Sequence, residues 1–569
     1  YEDRTVSPAG YQFLQQFQLD AGLPVWRYAS DGIILERRLW MPYGCNETSI
    51  AYRLLAAPGP VELELTPLVA WRHHHALQRQ LPMPFAVEAY ADGCRLALSA
   101  TAWLALTCDG GHFEPDSDWH YRFFLGEEAA RGFDALEDLY RPGHLRITLH
   151  PGKEVVLQAR FGQGTDSAVP GDHTLEGELT RRRALLQQAK VEPESRTAQL
   201  VLAADQFLVR RGEQQATIIA GYPWFADWGR DSMVALPGLT LATGRRAEAR
   251  SILLDWSTWL KDGLLPNRFP DQGEAPEYNS ADASLWFIYA AERYIALTSD
   301  LATQRRLYTA LVDIIEHYQD GTLFGIGVDP DDHLLRAGAP GVQLTWMDAK
   351  VDDWVVTPRR GKPVELNALW YNALRVVERW SAKVGGQQKR YAALADACAA
   401  AFNRRFWYAE GGYLYDVVDG DDGDDHALRP NQVLALSLPF PVLSPERRLA
   451  VLDQVEATLL TPVGLRTLAQ HDPAYRATYA GDARTRDSAY HQGTVWPWLL
   501  GPYLTAHLRV VNNRAYVQAV LDAFFAHLPE AGVGSVSEIF DGDAPHLPRG
   551  CFAQAWSVGE LLRVLRQIT

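Results

Sequence analysis

The sequence predicts a multidomain protein with an antiparallel β-sandwich at the N-terminus, followed by an all-α domain. Its 569 residues are too many for one hydrophobic core. Short alternating segments separated by Gly and Pro fill the first 165 residues, which is typical of a sandwich. From Leu175 onward the apolar residues recur with helical spacing. We therefore predict a sandwich over 1–165, a linker with a connecting helix over 166–196, and a helical domain over 197–569.

The strand prediction depends on five segments that alternate apolar and polar residues or are rich in β-branched and aromatic residues. These segments are 32–40, 61–65, 94–98, 120–125 and 154–161. Residues 162–171 are rich in Gly, Asp and Ser, which indicates a linker. The segments 175–189 and 197–211 that follow are amphipathic in the manner of helices.

Composition excludes several classes of function. A net charge of −16 argues against a nucleic-acid surface and against binding to anionic membranes. The chain has no apolar run of about 18 residues that could span a membrane. Its five cysteines are scattered without metal-ligand spacing, which favours reduced thiols. The charged N-terminus does not resemble a signal peptide. These observations predict a cytoplasmic protein without nucleic-acid or membrane partners.

Five islands of the helical domain are rich in residues suited to binding a sugar: four combine Trp with acidic or other polar residues, and the last is acidic. They lie at 221–232, 279–286, 345–354, 491–498 and 535–543. An aromatic face covers the apolar side of a pyranose, while Asp and Arg bind its hydroxyls in charge-assisted hydrogen bonds. A toroid of paired helices would bring the loops that carry these islands together at one end. The islands therefore predict one large carbohydrate site.

Two carboxylates are candidates for glycoside hydrolysis with inversion. That reaction needs a carboxylic acid and a carboxylate about 6.5–9.5 Å apart. Asp282 lies where a loop enters an almost wholly apolar helix, so it could also cap that helix. Glu538 lies in an acidic, Gly-flanked loop that could equally be a solvated turn. The residues alone leave both alternatives open.

Other polar and aromatic residues of the islands have two interpretations. Asp227, Arg230 and Asp231 could form an ion pair at a helix start or bind a sugar. Asp348 and Lys350, as well as Glu365 on the next helix, are polar groups in apolar surroundings that need either a loop or a sugar as partner. Bulky side chains are expected to wall a closed pocket with one glucose at its base. They are Trp224, Phe225, Trp228, Trp346 and Trp496.

The acidic turn 419–425 is the one segment that invites a Ca²⁺ prediction. It lacks the ligand spacing and the closing Glu of a Ca²⁺ loop, so we interpret it as a surface turn. The chain also contains no HExxH motif and no Gly-rich phosphate loop. We expect neither a metal nor an organic cofactor.

From about Ala203 to its end, the chain resembles the amylo-α-1,6-glucosidase module of glycogen debranching enzymes. Long blocks carry the resemblance, among them AGYPWFADWGRDSMVALPGL, YNSADASLWF, TWMDAKVDDWVVTPRRGKPVELNALWYNAL, YHQGTVWPWLLGPY and SVSEIFDGDAPHLPRGCFAQAWSVGELLR. The N-terminal region resembles the domain that precedes this module in prokaryotic members. The resemblance implies an (α/α)6 toroid and an inverting mechanism.

The resemblance also implies roles for particular residues. Asp282 matches the Asp of the N-x-x-D-A block, the expected general acid, and Glu538 matches the Glu of the S-E-I-x-D-G block, the expected general base. The W-G-R-D block would place Trp228, Arg230 and Asp231 around the non-reducing glucose. The full set of predicted substrate contacts is Trp224, Asp227, Trp228, Arg230, Asp231, Trp346, Asp348, Lys350, Glu365, His491, Gln492 and Trp496.

The predicted function is an α-1,6-glucosidase that acts on branch points of glycogen or related α-glucans. An exo-α-glucosidase or trehalase-like hydrolase remains an alternative, because a fold does not determine which linkage is cleaved. A catalytically silent glucan-binding protein is a third possibility, which the presence of both carboxylates disfavours.

Overall fold

A computed structural model describes residues 1, 4–81, 85–164, 172–211, 215–270 and 275–568. The chain divides into two compact units, Tyr1–Leu185 and Leu186–Thr569. Residues 165–171 of the predicted linker lie outside the described residues, and the helix that follows them spans Leu175–Ala189. No helix in the described part of the chain is long and apolar enough to cross a membrane.

The first unit contains two antiparallel sheets. Its strands are β1 Leu14–Asp20, β2 Leu23–Ser30, β3 Ile33–Trp40, β4 Glu47–Ala56, β5 Val61–Leu65, β6 Ala86–Tyr90, β7 Gly93–Ala97, β8 Ala102–Cys108, β9 His112–Phe124, β10 Leu136–Leu149 and β11 Glu154–Gln163. One sheet has the order β1-β2-β3-β4-β11-β8-β7-β6, and the other has the order β5-β10-β9. Every segment that the sequence predicted to be extended overlaps one of these strands, so the predicted antiparallel architecture is confirmed.

Alternation along the strands explains the core between these sheets. Leu54 of β4, Leu106 of β8 and Leu157 of β11 belong to one buried cluster. Leu145 and Ile147 of β10 join it from the second sheet. Side chains two residues apart point to the same face of a strand, so each strand contributes a row to the core.

Helices dominate the second unit. The chain's helices are α1 Gly126–Ala130, α2 Leu175–Ala189, α3 Arg196–Phe207, α4 Gly229–Leu236, α5 Arg246–Trp256, α6 Ala283–Thr298, α7 Leu301–Asp320, α8 Val364–Val384, α9 Gln388–Arg405, α10 Leu434–Ser437, α11 Pro445–Leu459, α12 Ala483–Asp487, α13 Leu500–Val510, α14 Arg514–Phe525 and α15 Ala555–Ile568.

Alternate helices of this unit form an inner and an outer ring. Helices α4, α6, α8, α10, α13 and α15 contact one another in that order, and α15 returns to α4, which closes the inner ring. Helices α3, α5, α7, α9, α11 and α14 pack outside them. This arrangement is the (α/α)6 toroid, and the prediction of that fold is confirmed.

The sequence explains why a helix lies in one ring or the other. Inner helix α6 is almost wholly apolar and is buried along most of its length, as expected for a helix without a broad solvent face. Outer helix α7 buries a single stripe, in which Leu307, Leu311 and Ile314 recur at helical spacing. The rest of the α7 surface is mostly polar or charged.

Short strands lie in the loops between the helices of the toroid. They are β12 Leu208–Arg211, β13 Gln215–Ile218, β14 Gly221–Tyr222, β15 Gly327–Val328, β16 Leu335–Arg336, β17 Lys350–Val351, β18 Trp354–Val355, β19 Lys362–Pro363, β20 Trp407–Tyr408, β21 Tyr413–Leu414, β22 Val417–Gly420, β23 Gly423–Asp425, β24 Leu460–Thr461, β25 Gly464–Arg466, β26 Val495–Trp496, β27 Ile539–Phe540, β28 Pro548–Arg549 and β29 Ala553–Gln554. Strands β24 to β28 pair in sequence order as one sheet, which holds Trp496 on β26 next to the strand that follows Glu538.

Candidate active site

The loops that enter the inner helices meet at one end of the toroid and enclose a cavity of about 140 Å³. Side chains from before or within the first turns of α4, α8, α13 and α15 line it. The lining residues are Phe225, Trp228, Arg230, Asp231, Trp346, Asp348, Tyr490, Trp496, Glu538, Gln554 and Trp556. Four of the five islands, 221–232, 345–354, 491–498 and 535–543, therefore contribute directly to one cavity.

Arg230, in the first turn of α4, joins two of these loops. Its Nε lies 2.8 and 2.9 Å from the two carboxylate oxygens of Asp282. One of its terminal nitrogens donates a hydrogen bond of 3.0 Å to Asp348. The guanidinium is buried, and its carboxylate neighbours raise its pKa further above the ordinary value, so Arg230 is a permanent cation between two acids.

Asp282 occupies the N-cap position of α6 and faces away from the cavity. Its side chain is 1% exposed, and it accepts hydrogen bonds from Arg230 and, at 2.8 Å, from the hydroxyl of Ser280. It makes no side-chain capping bond to the backbone of its helix. The carboxylate that the sequence nominated as general acid is thus tied to a buried cation behind the cavity wall.

Asp348 lies on the other side of Arg230, on the loop before α8, and lines the cavity. Its side chain is 33% exposed, in contrast to that of Asp282. Burial of its surroundings and the negative charge of Asp282 raise its pKa, although Arg230 opposes the shift. A carboxyl with a raised pKa that opens onto a cavity is suited to donating a proton.

Asp231 follows Arg230 on α4 and lies at the cavity wall. Burial, together with the charges of Asp348 and Glu538, raises its pKa to about 8. The side-chain amide of Gln554 donates a hydrogen bond of 3.1 Å to it. The Cys551 thiol in turn donates to the amide oxygen of Gln554, so the amide group has one fixed orientation.

Glu538 immediately precedes β27, and two donors hold its carboxylate. The hydroxyl of Tyr490 donates to one oxygen. The backbone N–H of Cys551 donates to the other at 2.9 Å. The residue is 3% exposed yet contributes to the cavity lining, so its carboxylate is rigid and accessible only from inside the cavity. Such a group can orient a single water molecule.

Tryptophans form the wall of the cavity. The Trp346 indole N–H donates a hydrogen bond of 2.7 Å to Asn431. The Trp496 indole N–H donates to the backbone oxygen of Tyr490 at 3.0 Å. The two rings pack edge to face, with centroids 5.3 Å apart. Because both polar ends are satisfied inside the protein, each ring presents only apolar surface.

His491, a predicted substrate contact, lies behind this wall rather than in it. Its ring stacks on Trp496 with centroids 5.2 Å apart, and the residue is fully buried. Burial and the nearby arginines lower its pKa well below 6.5, so it is a neutral imidazole. Its position supports Trp496 and does not reach the cavity lining.

Further predicted contacts are held by other parts of the protein. Asp227 forms an ion pair with Arg211 and accepts a hydrogen bond of 3.0 Å from Thr217. The ammonium of Lys350 donates to the backbone oxygen of Gly341 at 2.9 Å. Neither residue is among those that line the cavity in the described part of the chain.

Glu365, Gln492 and Trp224 also lie outside the lining. Glu365, in the first turn of α8, is 1% exposed and paired with Arg359. The Gln492 side-chain oxygen accepts a hydrogen bond of 2.6 Å from Arg429. Trp224 is half-buried. The structure thus gathers Trp228, Arg230, Asp231, Trp346, Asp348 and Trp496 of the predicted contacts, together with Glu538.

Three lining residues are absent from the predicted set: Tyr490, Gln554 and Trp556. Tyr490 directly precedes the predicted His491. Gln554 and Trp556 flank the start of α15 in the way that Trp228 and Arg230 flank the start of α4. A Trp beside a polar residue at the start of an inner helix is the sequence pattern that could have predicted Gln554 and Trp556 as lining residues.

The acidic turn after β22 pairs with a lysine. The ammonium of Lys362 lies 2.8 Å from Asp329, 2.8 Å from Asp332 and 2.7 Å from Asp419. Arg405 adds a second cation at 2.6 Å from Asp419. Within the described ranges, no group of three or more Asp, Glu, His or Cys side chains is arranged to hold a metal ion.

Comparison with known proteins places this site in a family context. A family model described as amylo-alpha-1,6-glucosidase matches residues 202–563, and one described as the N terminal of glycogen debranching enzyme matches 1–156. The glycogen debranching enzyme of Saccharomyces cerevisiae is 27% identical over 394 residues, which are 52% of this chain and 25% of that protein. The chain therefore spans about a quarter of that relative's length.

A solved structure is similar over the whole chain. The crystal structure of a bacterial glucoamylase complexed with acarbose matches with a TM-score of 0.64 at 12% identity. The match covers 100% of this chain and 87% of that one. At this identity the likeness establishes a common fold.

Proposed function

The chain belongs to the amylo-alpha-1,6-glucosidase family, and from that premise we propose that it hydrolyses α-1,6-linked glucose at branch points of glycogen or a related α-glucan, with inversion at the anomeric carbon. One observation carries the proposal: in the described part of the chain three carboxyl groups line a Trp-walled cavity, of which Asp348 and Glu538 lie on different loops and Asp231 accepts a hydrogen bond from Gln554. Inverting hydrolysis requires two such groups, one to protonate the leaving oxygen and one to activate water.

We assign the proton donor to Asp348 in preference to Asp282. A general acid must reach the glycosidic oxygen and must carry a proton at the working pH. Asp348 lines the cavity, and its raised pKa favours the protonated form. Asp282 is buried against the guanidinium of Arg230 and is not among the residues that line the cavity. In this proposal Asp282 is the group that orients Arg230.

Glu538 is assigned as the general base. Its carboxylate removes a proton from a water molecule, and the water oxygen attacks the anomeric carbon. The bond from that carbon to the leaving oxygen breaks as Asp348 transfers its proton to that oxygen. The products are β-glucose and a glucan with a free 6-hydroxyl. The two hydrogen bonds that hold Glu538 fix the direction from which water is delivered.

The remaining polar residues fit the recognition of one terminal glucose. Asp231 and Gln554 form a buried hydrogen-bonded pair that lines the cavity. Such groups discriminate strongly between substrates, because a sugar that lacks the matching hydroxyl leaves them unpaired. Phe225, Trp228 and Trp346 supply apolar faces for the ring. We therefore infer that the enzyme acts at chain ends, with the glucose residue enclosed.

The decisive experiment compares substrates and follows the anomer released. The protein is incubated with a glucosyl-branched dextrin and separately with linear maltooligosaccharides, and the first product is recorded by proton NMR. Release of β-glucose from the branched dextrin alone is expected. Release from linear chains only would identify an exo-α-glucosidase, and α-glucose as the first product would contradict inversion. A protein that releases glucose from neither substrate would be a silent glucan-binding protein.

We also propose that the protein functions in the cytoplasm without a metal. Cys45, Cys94, Cys108, Cys398 and Cys551 are all free thiols. Burial raises the pKa of Cys94 to about 12, so this thiol resists oxidation. Activity that is lost in a chelator and restored by Ca²⁺ would contradict the metal-independent part of the proposal.

A further inference from the structure

We propose that Tyr490 is a positioning residue for Glu538: its hydroxyl fixes one carboxylate oxygen, so that the carboxylate stays ionised and presents a defined lone pair to the attacking water. This inference rests on the proposed role of Glu538 as general base. It adds a residue from the loop before α13 to a reaction that otherwise uses the loops before α8 and α15.

The carboxylate of Glu538 lies in a cradle made by three residues. Tyr490 donates to Oε1 through its hydroxyl, and Cys551 donates to Oε2 through its backbone N–H at 2.9 Å. Gly550 closes the third side. It has a φ of +66°, and a Cβ at this position would overlap the Glu538 carboxylate. Each oxygen therefore accepts a hydrogen bond from a fixed donor, and these two bonds orient the carboxylate.

Tyr490 is itself held too firmly to serve as a mobile substrate contact. Its backbone oxygen accepts from the Trp496 indole N–H at 3.0 Å. Its ring packs against Trp496 at 5.0 Å, Tyr479 at 5.4 Å and His491 at 4.7 Å between centroids. A hydroxyl carried by a ring that is packed on three sides has one direction in which to donate, and that direction is occupied by Glu538.

The ionisation state of Tyr490 suits this role. Burial and the negative charge of Glu538 raise its pKa well above 10, so the phenol keeps its proton at any ordinary pH of assay. A donor that cannot be lost favours the ionised form of its acceptor. A general base must be ionised to act, so the hydrogen bond extends activity to lower pH.

Several titratable groups surround Tyr490 and Glu538. Asp231 and Asp348 act on it from the cavity, Tyr479 and neutral His491 flank the phenol ring, and the Cys551 thiol lies behind the carboxylate. Both aspartates are negative when ionised, so they oppose the ionisation of Glu538. The hydrogen bond from Tyr490 acts in the opposite direction.

The test is Tyr490→Phe, which removes one oxygen and preserves the packed ring. With a branched dextrin as substrate, kcat is expected to fall about 10- to 100-fold, the range of one hydrogen bond to a charged group. KM is expected to stay within about threefold, since the hydroxyl proton is directed at Glu538 and is not free to bind a sugar hydroxyl. The acidic limb of the kcat–pH profile is expected to move about one unit to higher pH.

The matched control is Tyr479→Phe. This ring neighbours Tyr490, but its hydroxyl donates to Asp487 at 3.1 Å. The control is expected to leave the acidic limb in place, and melting curves for both variants test that they fold. An unmoved limb in Tyr490→Phe, or a rise in KM with unchanged kcat, would overturn the positioning role. Glu538→Gln distinguishes the two hypotheses, because full activity in that variant would instead refute the base assignment.

Discussion

Two buried arginines of the toroid hold nearly identical sets of partners but differ in what those partners face. Arg230 contacts both oxygens of Asp282 and also binds Asp348, while Arg359 contacts both oxygens of Glu365 and also binds Asp416. Each arginine joins loops at the entrances of inner helices. The side chain of Asp348 is 33% exposed, whereas that of Asp416 is 2% exposed.

The difference shows that access, and not ion pairing, separates the two clusters. The polar partners of Arg359 are bound inside the protein. Asp416 accepts a hydrogen bond from the side-chain amide of Asn431, and the oxygen of that amide accepts one from the indole N–H of Trp346. This cluster supports the cavity wall. The Arg230 cluster has the same chemistry, but one of its carboxyls opens onto the cavity, so it can act on a substrate.

The largest expected effect separates the two acids of Arg230. Asp348→Asn should lower kcat on a branched dextrin about 10³- to 10⁴-fold, because the leaving oxygen is no longer protonated. The same variant should hydrolyse α-glucosyl fluoride within about tenfold of the parent, since fluoride departs without a proton. Asp282→Asn serves as the control and should lose activity on both substrates as Arg230 loses its orientation. Recovery on the fluoride by Asp282→Asn instead would return the acid role to that residue.

The second prediction concerns the closed cluster. Arg359→Met removes the buried ion-pair partner of Glu365 and leaves Asp416 with Asn431 and Arg429, and we expect the free energy of unfolding to fall by about 3–5 kcal/mol. In urea the midpoint should fall, while kcat of the protein that remains folded should stay within about threefold. Arg230→Met should lose both stability and activity. A kinetic defect in Arg359→Met as large as that of Arg230→Met would contradict a purely supporting role for the Arg359 cluster.

A third test uses pH. The pKa of Asp231, about 8, exceeds the unfolded value, so the folded state binds the extra proton between about pH 4 and pH 8. Stability linked to this group is therefore fully present below about pH 4, is lost progressively as pH rises from about 4 to about 8, and is absent above pH 8. In denaturant titrations Asp231→Asn should be more stable than the parent by several kcal/mol at pH 9 and equally stable at about pH 4. Its activity should nevertheless fall, since the proposed contact to the sugar is lost. Equal stability at both pH values would contradict this account.

The smallest effect is expected at Lys350, two residues beyond Asp348. Its ammonium binds the backbone oxygen of Gly341 at the surface, so Lys350→Ala should change kcat/KM less than about twofold and stability by less than about 0.5 kcal/mol. A steady-state assay beside Asp348→Asn makes the contrast direct. A loss of more than tenfold would mean that the loop before α8 presents both residues to substrate.

Sequence reasoning predicted the fold more completely than the site. Helical periodicity along α7 and the almost wholly apolar sequence of α6 distinguish these outer and inner helices, because burial on one face or on most faces leaves a pattern in the chain. The antiparallel strands likewise follow from alternation. These properties are local, so the sequence carries them directly.

Within the site, the islands were predictable but the direction of individual side chains was not. Trp346, Asp348 and Lys350 of the segment before α8 were predicted together, yet Trp346 and Asp348 line the cavity while Lys350 binds the backbone oxygen of Gly341. Asp282 carries the family motif but lies behind Arg230. Which of two carboxylates lies on the open side of a guanidinium depends on the packing of three loops, and no local pattern encodes it.

Lys362 determines the charge balance around the acidic turn. Its ammonium occupies the centre of Asp329, Asp332 and Asp419, where a free cation would otherwise have to be recruited from solution. A cation tethered by the backbone has an occupancy that neither dilution nor competing ions can alter. The charge balance of this part of the toroid is therefore fixed by the amino-acid sequence. A chemical modification that neutralises the Lys362 amine would change it.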